Sequence, residues 1–510
     1  MPKRAASPSL APASASPARK RARSSSPAAS PSQDAAGRGR WKDWPAPRSQ
    51  MDEAKAWIRE AVEGKHPILI CPDKDADGLS SAAVLSLALR ALEHPPNLVS
   101  IYHLPRSLNI HAPAAQSDML GTFPSRGGTT RCIVLDQGSR PGPALIPTGD
   151  DPSNPRKTLI IDHHLSTTFP DDAQVLTACH SLPVATTSIL TYHLCAELVP
   201  SLRGSSSAGL AALVGVYGDL GSGKVKFGAP DEPWPASLAP VEKAVTKSAL
   251  SKAVALINAP RRTPEFCVQA AYEALWAAVD AEEGAGAKGR LRRVLEDDKL
   301  LEAKERTSAE TSRWQGAPPV FSKDGKIAVV TVDSGYQIHP VIATRWTGTL
   351  RKAKTLICVM CANTGYTPGF VHFSCRAPRR DTSSPVDLIA FLRSLAPQCD
   401  ALSPGWSARV GEDFARGHRE ATGGIIPRDE FDVLLRACEV GVKKEKGEGD
   451  GAPKKTKAKG VIDEGMKKGA LEGFFKVVSK KGAAGKAGDE KKDAKSVPQA
   501  AKKAEVVEVD

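Results

Sequence analysis

Three short apolar runs, each ending abruptly in polar or acidic residues, constrain this chain more than any other feature. They are "HPILICP" (66–72), "TRCIVLDQG" (130–138) and "KTLIIDHHL" (157–165). Each reads as a strand. Stretches with helical patterning lie around them, at 52–63, 79–92, 184–198 and 207–221. Apolar strands alternating with helices predict an α/β domain with a mainly parallel sheet covered on both faces. Ligands of such sheets sit beyond the carboxyl ends of the strands. The polar residues of all three runs fall at those ends.

The chain has 510 residues, 41% of them apolar, enough for more than one core. It holds no apolar run of 18 or more residues, which predicts no membrane span. "MPKRAASPSL" lacks the apolar stretch of a secretory signal. Ten scattered cysteines, several in apolar runs, are expected as reduced, buried thiols. The one CxxC, Cys358–Cys361, has no second pair with which to build a zinc ribbon.

The net charge of +13 belongs to the tails. Residues 1–50 hold 10 Lys or Arg against 2 Asp, and residues 441–510 hold 18 Lys against 12 acids, so the middle is close to neutral. Nucleic-acid contact by the folded part must therefore come from local clusters. The expected organisation is a Ser/Pro/Ala/Arg-rich disordered tail at 1–50, an α/β domain at 51–235, a helical connector at 236–320, a smaller α/β domain at 321–440 and a disordered Lys-rich tail at 441–510.

"CPDKDADGLS" (71–80) places Asp73, Asp75 and Asp77 at alternate positions after the first strand. In an extended segment the three would share one side. Crowded like charges repel unless a cation sits among them. The bland reading is a solvated acidic loop, which a strand running directly into the cluster weakens. The second strand ends at Asp136, and the third at Asp162, His163 and His164; Asp219 follows a helical stretch in "GVYGDLG". Each alone is ordinary. Together they are the donor set of a site for two cations such as Mn²⁺ or Mg²⁺. Two such ions suit in-line displacement at phosphorus. Adjacent His163 and His164 would face opposite ways if extended, with one on metal and the other toward substrate.

"DKDADG", "LDQG", "IDHH" and "GVYGDLG" stand in the order and rough spacing of the four motifs of the DHH phosphoesterases, and the first resembles the RecJ-type branch. The resemblance implies metal ligands at Asp75, Asp77, Asp136, His163 and Asp219, with Asp73 as a further ligand or a supporting acid. It implies a phosphate-facing His164, and Asp162 as the group that orients its neighbours. The second domain resembles the DHH-associated domain: "FSCRAPR" offers Ser374 and Arg376, and "RGHREATGG" offers Gly417, His418, Gly423 and Gly424. In the family such groups grip phosphate, which suits guanidinium and glycine-backbone donors. Arg416 stands where that pattern has a glycine. "DSGYQIHPVIATRW" adds His339 and Arg345 as candidates for the cleft.

"GDLGSGKV" (218–225) nearly spells a phosphate-binding loop, but Val225 stands where Ser or Thr must reach Mg²⁺, and the proline-rich "KFGAPDEPWP" cannot make the required helix. In the tails, "PARKRAR" (17–23) reads as a nuclear-import signal, and Ser7, Ser16, Ser26 and Ser30 each precede a proline. "KKGALEGFFKVVSKK" sets Leu471, Phe474 and Phe475 in a lysine-rich run, with the spacing of a box that docks on replication sliding clamps; Lys468 replaces its usual first glutamine.

The expectation is a nuclear two-metal phosphodiesterase, a RecJ-like exonuclease on single-stranded nucleic acid in DNA replication or repair. One alternative is a phosphatase or phosphodiesterase on small substrates such as polyphosphate, cyclic dinucleotides or short oligonucleotides. Another is a replication scaffold that kept the fold without catalysis; the complete motifs argue against it.

Overall fold

The structure is a computed structural model that describes residues 41, 43–106, 108–123, 130–146, 156–378, 386–411 and 414–442. The basic cluster 17–23, the Ser-Pro sites and the clamp-like box with Leu471, Phe474 and Phe475 lie outside the described residues.

The three apolar runs form strands β1 (Ile68–Pro72), β3 (Arg131–Leu135) and β4 (Lys157–Asp162). Two edge strands complete the sheet: β2 (Val99–Ile101) and β5 (Ala173–Thr177). All pairings are parallel, in the order β2-β1-β3-β4-β5. Residues two apart on a strand share a face. Ile68, Ile70, Ile133, Leu135, Leu159 and Ile161 thus meet the helices Ala76–Ala91, Thr187–Leu198 and Ser206–Asp219, while Leu69, Cys71, Cys132, Val134 and Ile160 meet the helix Pro113–Thr122. Burial on both faces explains why these strands read as unbroken apolar runs. After β1 the chain pairs first on one side, with β2, and then on the other, with β3. That reversal opens a crevice at the carboxyl ends of β1 and β3.

Residues 220–235 form turns rather than a helix, so the near-match to a phosphate-binding loop has no helix to cradle phosphate. The connector follows as five helices between Ala239 and Trp314. A second, six-stranded sheet comes next: β6 (Val320–Phe321), β7 (Ile327–Val332), β8 (Cys358–Thr367), β9 (Phe370–Arg376), β10 (Arg416–His418) and β11 (Ala421–Pro427). Its order is β10-β11-β9-β8-β7-β6, with β7 and β8 parallel and the rest antiparallel. It is thus a mixed sheet. No helix among the described residues is long and apolar enough to cross a membrane.

Arg106, just after β2, joins the two sheets. Its Nη1 donates to the Pro264 carbonyl at 3.1 Å and its Nη2 to the Gly335 carbonyl at 3.0 Å and to the Tyr366 carbonyl, and its guanidinium carbon lies 3.8 Å from the Tyr366 ring centroid. Three acceptors from the connector and second sheet converge on one side chain of the first. Arg106→Ala is expected to cost about 1.5–3 kcal/mol, the range for hydrogen bonds to a charged group, read as a lower midpoint in urea unfolding.

Candidate metal centre and inter-domain cleft

The first motif does not stay extended. Asp75 is the N-cap of the helix Ala76–Ala91, its carboxylate accepting from the backbone N–H groups of Asp77 (3.1 Å) and Gly78 (3.4 Å). The helix therefore begins inside the acidic motif, and the expectation that all three acids share one side fails. Asp73 and Asp75 face Asp136, whereas Asp77, in the first helical turn, faces His163 and Asp219. A Cβ on Gly78 would sit 2.5 Å from the Asp73 carbonyl oxygen, so this tight entry admits only glycine.

Asp77 is held by the start of a second helix. Its two carboxylate oxygens accept from the backbone N–H of Thr187 (2.8 Å) and of Ser188 (3.1 Å). Negative charge is favoured at a helix N-terminus. The Thr187 hydroxyl donates to Asp136 Oδ1 at 2.9 Å. Thr187 and Ser188 escaped the sequence reading because "VATTSIL" looks like an ordinary helix start. Gly215 lets a third helix approach: a Cβ there would meet Ser188 Oγ at 2.2 Å and Asp77 Oδ1 at 2.6 Å.

Asp136 has φ +63°, a left-handed conformation that aspartate tolerates better than most residues. The turn aims its carboxylate back across the strand ends. His163 Nε2 lies 3.4 Å from Asp136 Oδ1, and His163 Nδ1 lies 3.7 Å from Asp219 Oδ2. His164 Nδ1 is 2.8 Å from Asp162 Oδ1 and 4.0 Å from Asp136 Oδ1. The two histidines do not face opposite ways. β4 ends at Asp162, whose Oδ1 accepts both their backbone N–H groups (2.8 and 3.3 Å) and bends the chain, bringing the rings within 4.7 Å, edge to face. Asp162 is fully buried and orients both.

Burial pushes the Asp136 carboxyl well above its usual range, and Asp77, Asp75, Asp162 and Asp73 add to the repulsion. Burial pushes Asp77 up to about 6, with His163 opposing and Asp219 adding to the shift, and it raises Asp73 likewise, with Asp75 adding. Burial acts on Asp75 too, but Arg261 and the cap N–H groups hold it below the usual range. Against burial, its bond to Asp162 lifts His164 to about 9. Three donor groups each lie within 4.8 Å: Asp136 with His163 and His164; Asp77 with His163 and Asp219; Asp73 with Asp75 and Asp136. Asp136 and His163 each belong to two of them. Crowded buried carboxylates with imidazoles at hand, sharing donors between groups, fit adjacent divalent cations.

A cationic wall stands opposite. Arg261 Nη2 is 3.7 Å from Asp75 Oδ2, and Asn258 Oδ1 accepts both Arg261 Nε and the backbone N–H of Ala76. Burial, with Arg261 beside it, pushes Arg262 down to about 10. On the second sheet, Arg376 Nη1 donates to Ser374 Oγ at 2.7 Å. Buried His339 is held neutral, well below its usual value, by burial and then by His372, Arg376 and Arg262. Burial, Arg106 and Lys74 push His372 down to about 4. Lys74 belongs to the acidic motif, so a charge of that motif acts on the second sheet. Gly423 pairs with Ser374, and Gly417 (φ +113°) lies within β10 opposite Thr422; the His418 side chain lies outside the described residues. Arg345 is exposed and donates to Gln315, and no distance ties it to the acids. Arg261 and Arg262 were missed by sequence reading; the signal was two adjacent arginines between prolines in "APRRTP".

The all-parallel α/β domain thus brings to its switch point a carboxylate–imidazole donor set that could hold divalent metal. Residues 67–214 match the model of the DHH family, N-terminal domain. Among solved structures, the chain is similar to RecJ from Thermus thermophilus in complex with Mn²⁺ (TM-score 0.52, 18% identity), covering 78% of this chain and 55% of that one. It therefore spans little more than half of the Thermus protein. It is also similar to an exonuclease RecJ bound to manganese (TM-score 0.50, 18% identity, 78% and 94% covered). A third likeness is to the DHH domain of a protein described as a member of a family of ribosomal proteins (TM-score 0.51, 14% identity, 77% and 91% covered). At these identities the likeness is one of fold. No curated protein matches the sequence.

Proposed function

We propose that this protein is a metal-dependent phosphodiesterase that shortens single-stranded nucleic acid, a RecJ-like exonuclease. The observation that carries the reading is a pairing: a carboxylate–imidazole crevice and, at its edge, the Arg261 guanidinium 3.7 Å from Asp75, with Arg262 next in the chain. The first suits cations and the second suits phosphates. Asp73, Asp75, Asp77, Asp136, His163 and Asp219 would hold two Mn²⁺ or Mg²⁺ ions, which when bound supply Lewis acidity for attack at phosphorus. Asp162 fixes the His164 ring so that it faces the phosphate. Ser374 and Arg376, with Gly417 and His418 of the neighbouring hairpin, hold the phosphate from the second sheet. Arg345 serves, in this reading, at the outer end of the substrate path. The likeness to RecJ structures bound to manganese supports the fold and the choice of ion.

Delivery belongs to the tails in the same proposal. The cluster 17–23 would direct nuclear import, and the box at 468–475 would dock on a replication sliding clamp, placing the enzyme in the nucleus at replicating or repaired DNA. The test is hydrolysis in Mn²⁺ of a labelled single-stranded 30-mer beside a dinucleotide, with Asp136→Ala run on both. Stepwise shortening of the 30-mer, lost in the variant, is expected. Cleavage of the dinucleotide alone favours the small-substrate reading, which the near-neutral middle of the chain supports. Cleavage of neither, with no metal bound, leaves a non-catalytic scaffold.

A further inference from the structure

Two leucines at the rim of the crevice have no packing reason to be where they are. Leu165 is 79% exposed and Leu182 is 73% exposed, more than any other large apolar side chain among the described residues. Both stand on loops that leave the carboxyl end of the first sheet, Leu165 after β4 and Leu182 after β5. Leu165 directly follows His164, whose side chain is 46% exposed at the mouth of the site.

The two loops are braced against each other. His180 Nε2 lies 3.1 Å from the Ser166 carbonyl oxygen, and Cys179 Sγ lies 3.6 Å from the same oxygen. Ser166 Oγ in turn accepts from the Thr168 backbone N–H. On the far side of Leu182, Trp44 Nε1 donates to the Pro183 carbonyl at 2.8 Å. The leucines thus project from a cross-tied platform. Single exposed apolar residues are common on protein surfaces; the two most exposed ones sharing a braced rim beside a candidate site are not explained by chance composition.

We infer that Leu165 and Leu182 form an apolar contact for a nucleobase next to the phosphate bound in the crevice. The inference rests on the reading of the crevice as a phosphodiester site. A strand whose phosphate faces His164 must carry its flanking bases past the next residue in the chain. The charged groups of the site suit the backbone, while the two leucines offer apolar surface at its rim, beside Thr167, Thr168 and His180, which suits the face of a base. Such contact is tolerant of sequence, because every base presents a flat apolar face. It would give the enzyme purchase on strands that a bare phosphodiester lacks.

The test uses the full chain and the double variant Leu165→Ser, Leu182→Ser. Both side chains are exposed, so the fold is expected to survive, and an unchanged melting temperature confirms it. Binding of a fluorescent single-stranded 30-mer is measured by anisotropy in Ca²⁺. Separately, hydrolysis of bis(p-nitrophenyl) phosphate is measured in Mn²⁺. Strand binding should weaken roughly tenfold, the scale of partly burying two leucines, with hydrolysis of the small diester unchanged. Equal binding by parent and variant overturns the inference and marks the rim as a contact for something other than a strand. An equal loss on both substrates also overturns it, since that would mean the loops only position His164. If the parent cleaves neither the small diester nor the 30-mer in Mn²⁺, the proposed activity fails, while the binding comparison still decides the role of the leucines.

Discussion

Asp136→Asn is expected to abolish hydrolysis and weaken Mn²⁺ binding by more than about 100-fold, while leaving the fold intact. Loss of an outer-shell partner typically costs about 10–100-fold in metal affinity, and Asp136 stands closer to the chemistry than that. It belongs to two of the three donor groups, so no second residue replaces it. Asparagine has the same shape and shares the tolerance for φ +63°. Its amide oxygen still accepts the Thr187 hydroxyl, a bond of 2.9 Å in the parent. The substitution also removes a buried acid surrounded by Asp77, Asp75, Asp162 and Asp73. Without divalent ions, the variant should therefore be as stable as the parent or more so, and more clearly at pH 8 than at pH 6. Isothermal titration with Mn²⁺ and thermal melts in EDTA read both effects. A variant that melts early and binds no metal would show only misfolding; one that binds Mn²⁺ as the parent does would remove Asp136 from the site.

The parts of this protein that were legible in the sequence are those where one local rule decides. Strands β1, β3 and β4 are buried on both faces, so they appear as bare apolar runs, and their ends mark the site. Strands β2 and β5 lie at the edges of the sheet and are only half-buried along most of their length, so no such run announces them. Period-two reasoning failed at Asp73, Asp75 and Asp77 because the Asp75 side chain caps a helix within the motif. It failed again at His163 and His164, because Asp162 accepts both backbone N–H groups and ends the strand. In each case a side chain to backbone hydrogen bond overrode the regular backbone. The cationic wall was harder still. Arg261 and Arg262 lie in the connector, far along the chain from the acids that they face, and only the packing of helices and sheets brings them there.

Metal-free protein should lose stability as pH rises from about 7 to 9, and Mn²⁺ should restore it most at the alkaline end; below about pH 7 buried neutral His339 and His372, which take up protons on unfolding, act the other way. The sign follows from which state holds more protons. Asp77 is raised to about 6, and Asp136 well above the usual carboxylate value, by burial in each case. Above about pH 4 the folded chain keeps protons on these groups that the unfolded chain has released, so rising pH favours unfolding until the folded values are passed. His164, lifted to about 9 by its bond to Asp162, stabilises below the unfolded imidazole value and loses that contribution as pH climbs through 9. Asp75 and Asp162 are held low, so their contribution is already complete above about pH 4 and does not oppose the trend. A bound cation takes the place of the protons and of part of the repulsion, so its stabilisation grows as protons stop competing for the carboxylates. Saturation at about 100 times the dissociation constant contributes about 2.7 kcal/mol, or several degrees in melting temperature for a domain of this size. EDTA melts at pH 7 and pH 9 test the first slope, and the difference between Mn²⁺ and EDTA melts at pH 6 and pH 8 tests the second. A Mn²⁺ gain equal at both pH values, or larger at pH 6, would mean that the ion binds outside the buried carboxylates.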